Sequence, residues 1–537
     1  MDLLNDTIRR ARRHTLGDVL RRSARRYPDK LAVKFGDTSW TYREYDELCS
    51  RLASGLVAQG IATGDRVAIL ARNSNAFVAL RFAAARLGAV FVPINFMLTA
   101  REVGFILGNS GAKTLYFDSE CQAVALEAAT AAGITAVWCP NAEQAAGLQA
   151  PPRCRTFDDV LAQGDAPVDG DLDDTLPAQI IYTSGTESHP KGAVLTHAAV
   201  IAEYVTCNVD NEVQADDRLL HALPLFHCAQ LDVFFGPAVH AGASSVITSQ
   251  ATPVNILAKI RKEGITSFFA PPTVWIALLR SPEFDSAAFA QVTKGYYGAS
   301  IMPVEVLKEL QRRLPGLRLW NLYGQTEIAP MASVLKPQDQ LRKAGSAGRP
   351  VINVETRLVD DAMKDVAVGE IGEIVHRSPQ LMTGYFGDPA RTAEAFQGGW
   401  FHSGDLGYRD EEGYLYVVDR KKDMIKTGGE NVASREVEEF LYGIDGVAEV
   451  AVVGVSHPEW VEEVVAVIVR KPDSRLTVDD VLAACRQGLA RYKTPKRVVF
   501  QDALPKNPSG KLLKRDLRLQ LASESVLPDT SSASRIE

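Results

Sequence analysis

The segment IIYTSGTESHPKGAVLTH, Ile180 to His197, runs from an apolar stretch into Thr183, Ser184, Gly185, Thr186, Pro190, Lys191 and Gly192. Hydroxyl and small side chains let backbone N–H groups approach phosphate oxygens, and a lysine adds positive charge, so the segment suits a polyphosphate. It is not a Walker loop, because Lys191 precedes Gly192 and the GK[ST] order does not occur. Four more segments carry groups of this kind: YGQTE at Tyr323 to Glu327, HSGDLG at His402 to Gly407, DRKKDMIKTGGENV at Asp419 to Val432 and NPSGK at Asn507 to Lys511. Each alone has a plain explanation. Glycine, serine and aspartate are turn formers, and a glutamate or lysine beside them is most often a solvated charge.

Taken together and in this order, the five segments resemble the adenylate-forming superfamily, which includes acyl-CoA synthetases, firefly luciferase and the adenylation domains of peptide synthetases. The similarity runs from about Thr41 to Arg515 and is closest to the medium- to long-chain fatty acyl-CoA synthetases. The resemblance implies roles residue by residue. Thr183, Ser184, Gly185, Thr186 and Lys191 would hold the phosphates of ATP. Glu327, beside Thr326, would bind Mg2+ together with Thr186. Gly298, Ala299 and Ser300, with Asn321, Tyr323, Gly324 and Gln325, would enclose adenine. Asp405 would take the ribose hydroxyls and Arg420 the ribose and phosphate. Lys511 would bridge the acyl carboxylate and the α-phosphate. His227 falls where the family places an aromatic residue or histidine beside that carboxylate. Lys422 matches the family's pivot, and rotation there would bring Thr427, Gly428, Gly429 and Glu430 to the pantetheine of coenzyme A. One departure stands out: after TSGT the family usually has a small or hydroxyl residue and then glycine, whereas this chain has Glu187 and Ser188. A carboxylate close to a triphosphate is repulsive.

These groups fit the implied chemistry. A carboxylate is a poor electrophile until it attacks the α-phosphorus of ATP, expels pyrophosphate and becomes a mixed anhydride. Repulsion between anions dominates that barrier, so positioned cations and hydrogen-bond donors are what a protein can contribute. A thiol then takes the acyl group.

The elements expected to position these residues are those of an α/β fold: a large N-terminal body of layered α/β sheets plus a small β-barrel-like part, followed by a small mobile α+β C-terminal domain. Helical patterns such as YREYDELCSRLASGLVAQG, PVNILAKIRKEG and PVEVLKELQRRL alternate with strand-like DRVAIL, AVFVPI, AKTLYF, TAVWC, SSVIT and TSFFA, which predicts largely parallel sheets. Residues 140–179 read as a looped region. A hairpin is expected where DEEG precedes YLYVV. The predicted division is 1–421, 422–521 around the Lys422 pivot, and 522–537 as a tail.

A net charge of −7 on 537 residues gives no reason to expect nucleic acid as a partner. Seven scattered cysteines without a CxxC pair, and no HExxH, argue against a disulfide framework and a zinc site and fit a reducing, cytoplasmic setting. No apolar run is long enough for a membrane span. Eight arginines between Arg9 and Arg26 could touch anionic lipid, but Leu16, Val19 and Leu20 at helical spacing favour a core-packed helix, so only weak peripheral membrane contact is anticipated. Family members are often homodimers.

The expected acyl walls, Phe226 to Phe235, Ala270 to Trp275 and Tyr296 to Ile301, are apolar and favour an apolar tail; Asp232 is the polar group within them. The reading is an ATP-dependent acyl-CoA ligase of a medium- or long-chain fatty acid. Alternatives are an aryl or cinnamate-type CoA ligase, an acyl-AMP ligase loading a carrier protein and a non-catalytic nucleotide-binding homologue.

Overall fold

Threonines placed before apolar-periodic runs start many of the helices. In α1 (Leu16–Arg26) Thr15 accepts from the Asp18 amide while Asp18 accepts from the Thr15 amide, a reciprocal cap. Leu16, Val19, Leu20 and Ala24 are buried, and Arg13 and Arg21 pair with Asp18 at 3.1 and 3.0 Å. The Leu16–Arg26 part of the arginine-rich stretch is therefore a core-packed helix, as its apolar spacing predicts.

The computed structural model describes residues 7–8, 10–139, 149–152, 154–164, 168, 171–183, 190–298, 302–427, 430–506 and 512–524. Two units pack separately: residues up to Glu355 with His376–Phe401, and Thr356–Val375 with the residues from His402 onward.

The first unit holds two large sheets with helices packed on them. Helix α2 (Asn75–Leu87) is buried on every side from Ala76 to Leu87. Strands β1 (Pro177–Thr183) and β2 (Lys191–Thr196) pair antiparallel beside the parallel strands Val90–Ile94, Arg66–Leu70, Ala112–Phe117 and Thr135–Trp138 in an eight-stranded sheet. Helix α3 (His197–Asp210) follows β2 directly, capped by Thr196. In the nine-stranded sheet, β3 (Lys294–Gly298) and β4 (Arg318–Gly324) run parallel, with Ser267–Phe269, Arg218–His221 and Ser244–Ile247 beyond them. The two-residue strand β5 (Gly384–Tyr385) extends the eight-stranded sheet by pairing with β2. The region expected as loop contains a helix at Phe157–Ala162, because Thr156 and Asp159 form a capping box.

In the second unit, β6 (Phe401–Arg409) and β7 (Leu415–Arg420) form the expected hairpin, turned where Asp410 accepts from the Glu412 and Tyr414 amides. They lie in a four-stranded sheet with Glu355–Val359 and Gly372–Arg377. The same unit contains a five-stranded sheet built on Val447–His457 and Val461–Arg470. Its two faces are both covered. Val450, Val452 and Ile468 meet α4 (Ser434–Tyr442), while Val453, Val465 and Val467 meet Leu517 and Leu521 of α5 (Lys514–Glu524). Double coverage explains continuous valine runs where a half-exposed sheet would alternate. Packing thus groups residues 356–375 and 402–421 with the C-terminal unit, whereas the expected division at Lys422 is one of motion.

Candidate active site

Hairpin β1–β2 closes on the pair Thr183 and Lys191, with the Thr183 hydroxyl donating to the Lys191 carbonyl at 3.5 Å. Ser184, Gly185 and Thr186, like Glu187, lie outside the described residues. Because β5 pairs Tyr385 with Ala193, the Tyr385 ring comes to 5.5 Å from the Lys191 ammonium. The Tyr385 hydroxyl in turn donates to Glu327 Oε1 at 2.9 Å. Lys191 and Glu327, 136 residues apart by their numbers, are thereby brought to one ring.

Glu327 stands in a single 3-10 turn, Thr326–Ile328, directly after β4. Its neighbour Thr326 faces another set of groups: Thr326 Oγ1 lies 3.3 Å from Cys228 Sγ, and Cys228 Sγ lies 4.0 Å from His227 Nδ1. His227 caps the short helix Cys228–Gln230, its Nδ1 accepting from the Ala229 amide at 3.1 Å. Burial pushes the Cys228 thiol pKa far up.

Of the residues expected around adenine, Gly298 ends β3 and Asn321, Tyr323 and Gly324 lie in the C-terminal half of β4, where ligands of parallel sheets usually sit. Asn321 donates to the Ser346 carbonyl at 2.9 Å, and Gln325 donates to the Tyr323 hydroxyl at 2.9 Å. Gly298 and Gly324 are required by close packing. A Cβ on Gly324 would fall 1.7 Å from the Pro330 carbonyl oxygen, and one on Gly298 would fall 2.6 Å from that of Leu322. Ala299 and Ser300 lie outside the described residues.

In the second unit Asp405 and Arg420 face each other across β6 and β7, joined at 2.8 Å. Asp405 is buried, and its amide donates to Ser403 Oγ at 3.0 Å. The turn after β7 is tied down at both flanks of Lys422. Lys421 pairs with Asp361 and Glu373 at 2.9 and 3.2 Å, and the hydrogen bond to Asp361 holds its pKa up. Asp423 pairs with Arg518 of α5 at 2.8 Å. Glu430 opens a strand paired back to Ile425–Thr427. Gly428, Gly429 and Lys511 lie outside the described residues.

Asp232, the polar group within the expected acyl walls, is bound by other side chains of the protein. Its carboxylate is fully buried, bound by Arg81 at 2.8 Å and Gln179 at 2.8 Å, with the Tyr204 hydroxyl at 3.5 Å. The π-helical turn Leu231–Phe235 directs it into this knot of side chains.

Sequence reasoning also passed over Tyr385. In MTGYFGDP the tyrosine reads as a loop aromatic, and only the β5–β2 pairing shows what it faces.

The chain matches the AMP-binding enzyme family over residues 20–386 and the AMP-binding enzyme C-terminal domain over residues 436–511. It belongs to this adenylate-forming family and is an enzyme of the ligase class. It is 39% identical to a feruloyl-CoA synthase of Amycolatopsis sp, covering 94% of this chain and 99% of that one. It is 37% identical to a long-chain-fatty-acid–CoA ligase of Mycobacterium tuberculosis, covering 91% and 94%. Among solved structures, ATP-bound MatB from Rhodopseudomonas palustris superposes with a TM-score of 0.86 at 29% identity over 95% of this chain and 99% of that chain.

Proposed function

We propose that this enzyme is an AMP-forming acid–CoA ligase for an apolar carboxylic acid. The observation that carries the reading is that consecutive residues face two different surroundings. Glu327 meets Tyr385, whose ring lies against the Lys191 ammonium, a charged setting suited to phosphates, whereas Thr326 meets the uncharged Cys228, which in turn lies beside His227. One turn therefore serves the phosphate end of ATP and the carboxyl end of the acid.

In the first step a carboxylate oxygen attacks the α-phosphorus and the bond to pyrophosphate breaks. Lys191 and the 183–186 segment would hold the phosphates, Asp405 and Arg420 the ribose, and Lys511 the acid and α-phosphate together. In the second step the sulfur of coenzyme A attacks the acyl carbon, the bond to AMP breaks and the thiol proton leaves to solvent. A pivot at Lys422 would exchange Lys511 for the 427–430 segment between the steps.

Mg2+ fits the donors present. Among the described residues no group of three or more histidine, cysteine, aspartate or glutamate side chains gathers, so the protein would supply Glu327 as one hard oxygen, with Thr186 assigned by resemblance, and ATP the rest. Bound there, the ion would neutralise phosphate charge.

For the acid, a flat aryl substrate of the cinnamate type is the better-supported class. Phe226 meets Phe96 edge-on at 5.5 Å, and Phe234 stacks on Phe269 at 4.5 Å and leans on Tyr296 at 5.0 Å. Phe234, Phe269 and Tyr296 are buried against one another, so among these wall rings the one with surface left for a planar guest is the half-buried Phe226; the feruloyl-CoA synthase relative supports the aryl class. The fatty-acid reading rests on the apolar character of the same walls and on the mycobacterial relative.

AMP release from ATP and Mg2+, across aryl and straight-chain acids, each with and without coenzyme A, tests this. CoA-dependent release with cinnamates above fatty acids is expected. The reverse ranking restores the fatty-acid assignment. Pyrophosphate exchange without CoA turnover points to a carrier protein, and silence with every acid removes the enzymatic reading of the site.

A further inference from the structure

Residues 380–386 form a strap that joins the ends of the two large sheets. At one end Gln380 is fully buried, and its Nε2 lies 2.5 Å from Glu203 Oε2, 3.1 Å from the Met331 carbonyl and 3.3 Å from that of Ile328. Its Oε1 accepts from the Thr206 hydroxyl at 2.6 Å. Glu203 Oε1 accepts from the Met331 amide at 3.1 Å. Two residues on, the Met382 amide donates to the Glu327 carbonyl at 2.8 Å. The strap is thus bound to the turn that carries Thr326 and Glu327.

At its other end the strap joins β2. The Thr383 amide donates to the Val194 carbonyl at 2.9 Å, Tyr385 pairs with Ala193, and the Phe386 amide donates to the Gly192 carbonyl at 2.8 Å. Lys191 is the next residue of β2. Tyr385 therefore stands between a segment fixed to Glu327 and a strand that starts with Lys191.

We propose that Tyr385 is a positioning residue for the magnesium–triphosphate end of the site, holding the Glu327 carboxylate at its hydroxyl and the Lys191 ammonium at its ring. A hydroxyl bound to one carboxylate oxygen fixes the direction of the other, and a cation settled near an aromatic ring keeps its charge available to an anion. Without the tyrosine, neither the Glu327 carboxylate nor the Lys191 ammonium would keep the contact that sets its direction. The proposal rests on the ATP-dependent reading of the site.

The test is calorimetric titration of the full-length enzyme with α,β-methylene-ATP at several Mg2+ concentrations, and with AMP, for the wild type, Tyr385→Phe, Tyr385→Leu and Glu327→Gln. Losing one hydrogen bond to a charged group should weaken the magnesium–triphosphate analogue about 10-fold in Tyr385→Phe, with a higher Mg2+ requirement and unchanged AMP affinity. Tyr385→Leu, which also removes the ring beside Lys191, should lose more. A tyrosine that only supports the fold would lower AMP and analogue affinity together, and that result overturns the proposal. So does wild-type behaviour in Tyr385→Phe when Glu327→Gln is weakened. If the wild type binds neither nucleotide, the ATP-dependent reading itself falls.

Discussion

Arg81–Asp232 and Arg420–Asp405 are the same two side chains at the same separation, 2.8 Å, in different surroundings. The Arg81 and Asp232 side chains are 1% and 0% exposed, and the aspartate is further bound by Gln179 and Tyr204. The Arg420 side chain is 36% exposed beside an Asp405 that is 7% exposed. Burial pushes the Asp232 pKa up against the pull of Arg81, the mark of a charge costly to seal inside, which the bonds from Arg81, Gln179 and Tyr204 offset. An aspartate flanked by apolar residues in sequence is thus no guide to a ligand. What separates the two pairs is whether the arginine can still be reached from solvent.

Four measurements break or sharpen this contrast. Asp232→Ala should have the largest effect, about 3–5 kcal/mol of stability lost because Arg81 is left buried and unpaired, with the KM for ATP of the remaining folded enzyme unchanged. A raised KM without loss of stability would make Asp232 a ligand contact after all. Asp405→Ala should do the opposite, lowering kcat/KM for ATP by roughly 10- to 100-fold while the Tm stays close to that of the wild type. A collapse of Tm would class the second pair with the first.

The third measurement is the pH dependence of unfolding. Burial lowers the pKa of His221 to about 3 and those of His197 and His240 to about 4. Below pH 6.5 the unfolded chain binds protons that the folded chain refuses. Each histidine therefore withdraws up to about 1.4 kcal/mol per pH unit from there down to its folded value. Denaturant titrations should show stability falling from about pH 6.5 toward pH 4, less steeply in His221→Asn. A flat profile over that range would mean that these rings reach solvent. The smallest effect is expected at an exposed site. Val461, 65% exposed, takes a φ of +70°, a strained value for a β-branched residue. Val461→Gly should raise stability by about 1 kcal/mol, and a decrease would show that the side chain contributes more than its backbone strain costs.

Much of the fold was legible in the sequence because the apolar runs have clean periods and many helices start at a threonine cap. The parallel sheets, the DEEG hairpin and the core face of α1 follow from such local signals. The helix at Phe157–Ala162 was obscured by the proline, glycine and aspartate around it, although the Thr156 and Asp159 spacing announces a cap. Motif order singles out Lys191 and Glu327, which the first unit brings to one ring, and Asp405 and Arg420, which the second unit pairs. Tyr385 and Gln380 stayed hidden because their roles depend on strand pairing and burial against residues 193, 203 and 331, which no local pattern records. Asp232 was ambiguous because a π-helical turn shifts which way its side chain faces.

Cys228 has a consequence for chemical selectivity. An enzyme that prepares an acyl group for an incoming thiol carries a thiol of its own 3.3 Å from Thr326. Only the thiolate is an effective nucleophile, and burial keeps Cys228 protonated. On the proposed reading of the site, an activated acyl group beside Thr326 would meet a sulfur too poorly solvated to ionise, and would be denied a shortcut onto the protein.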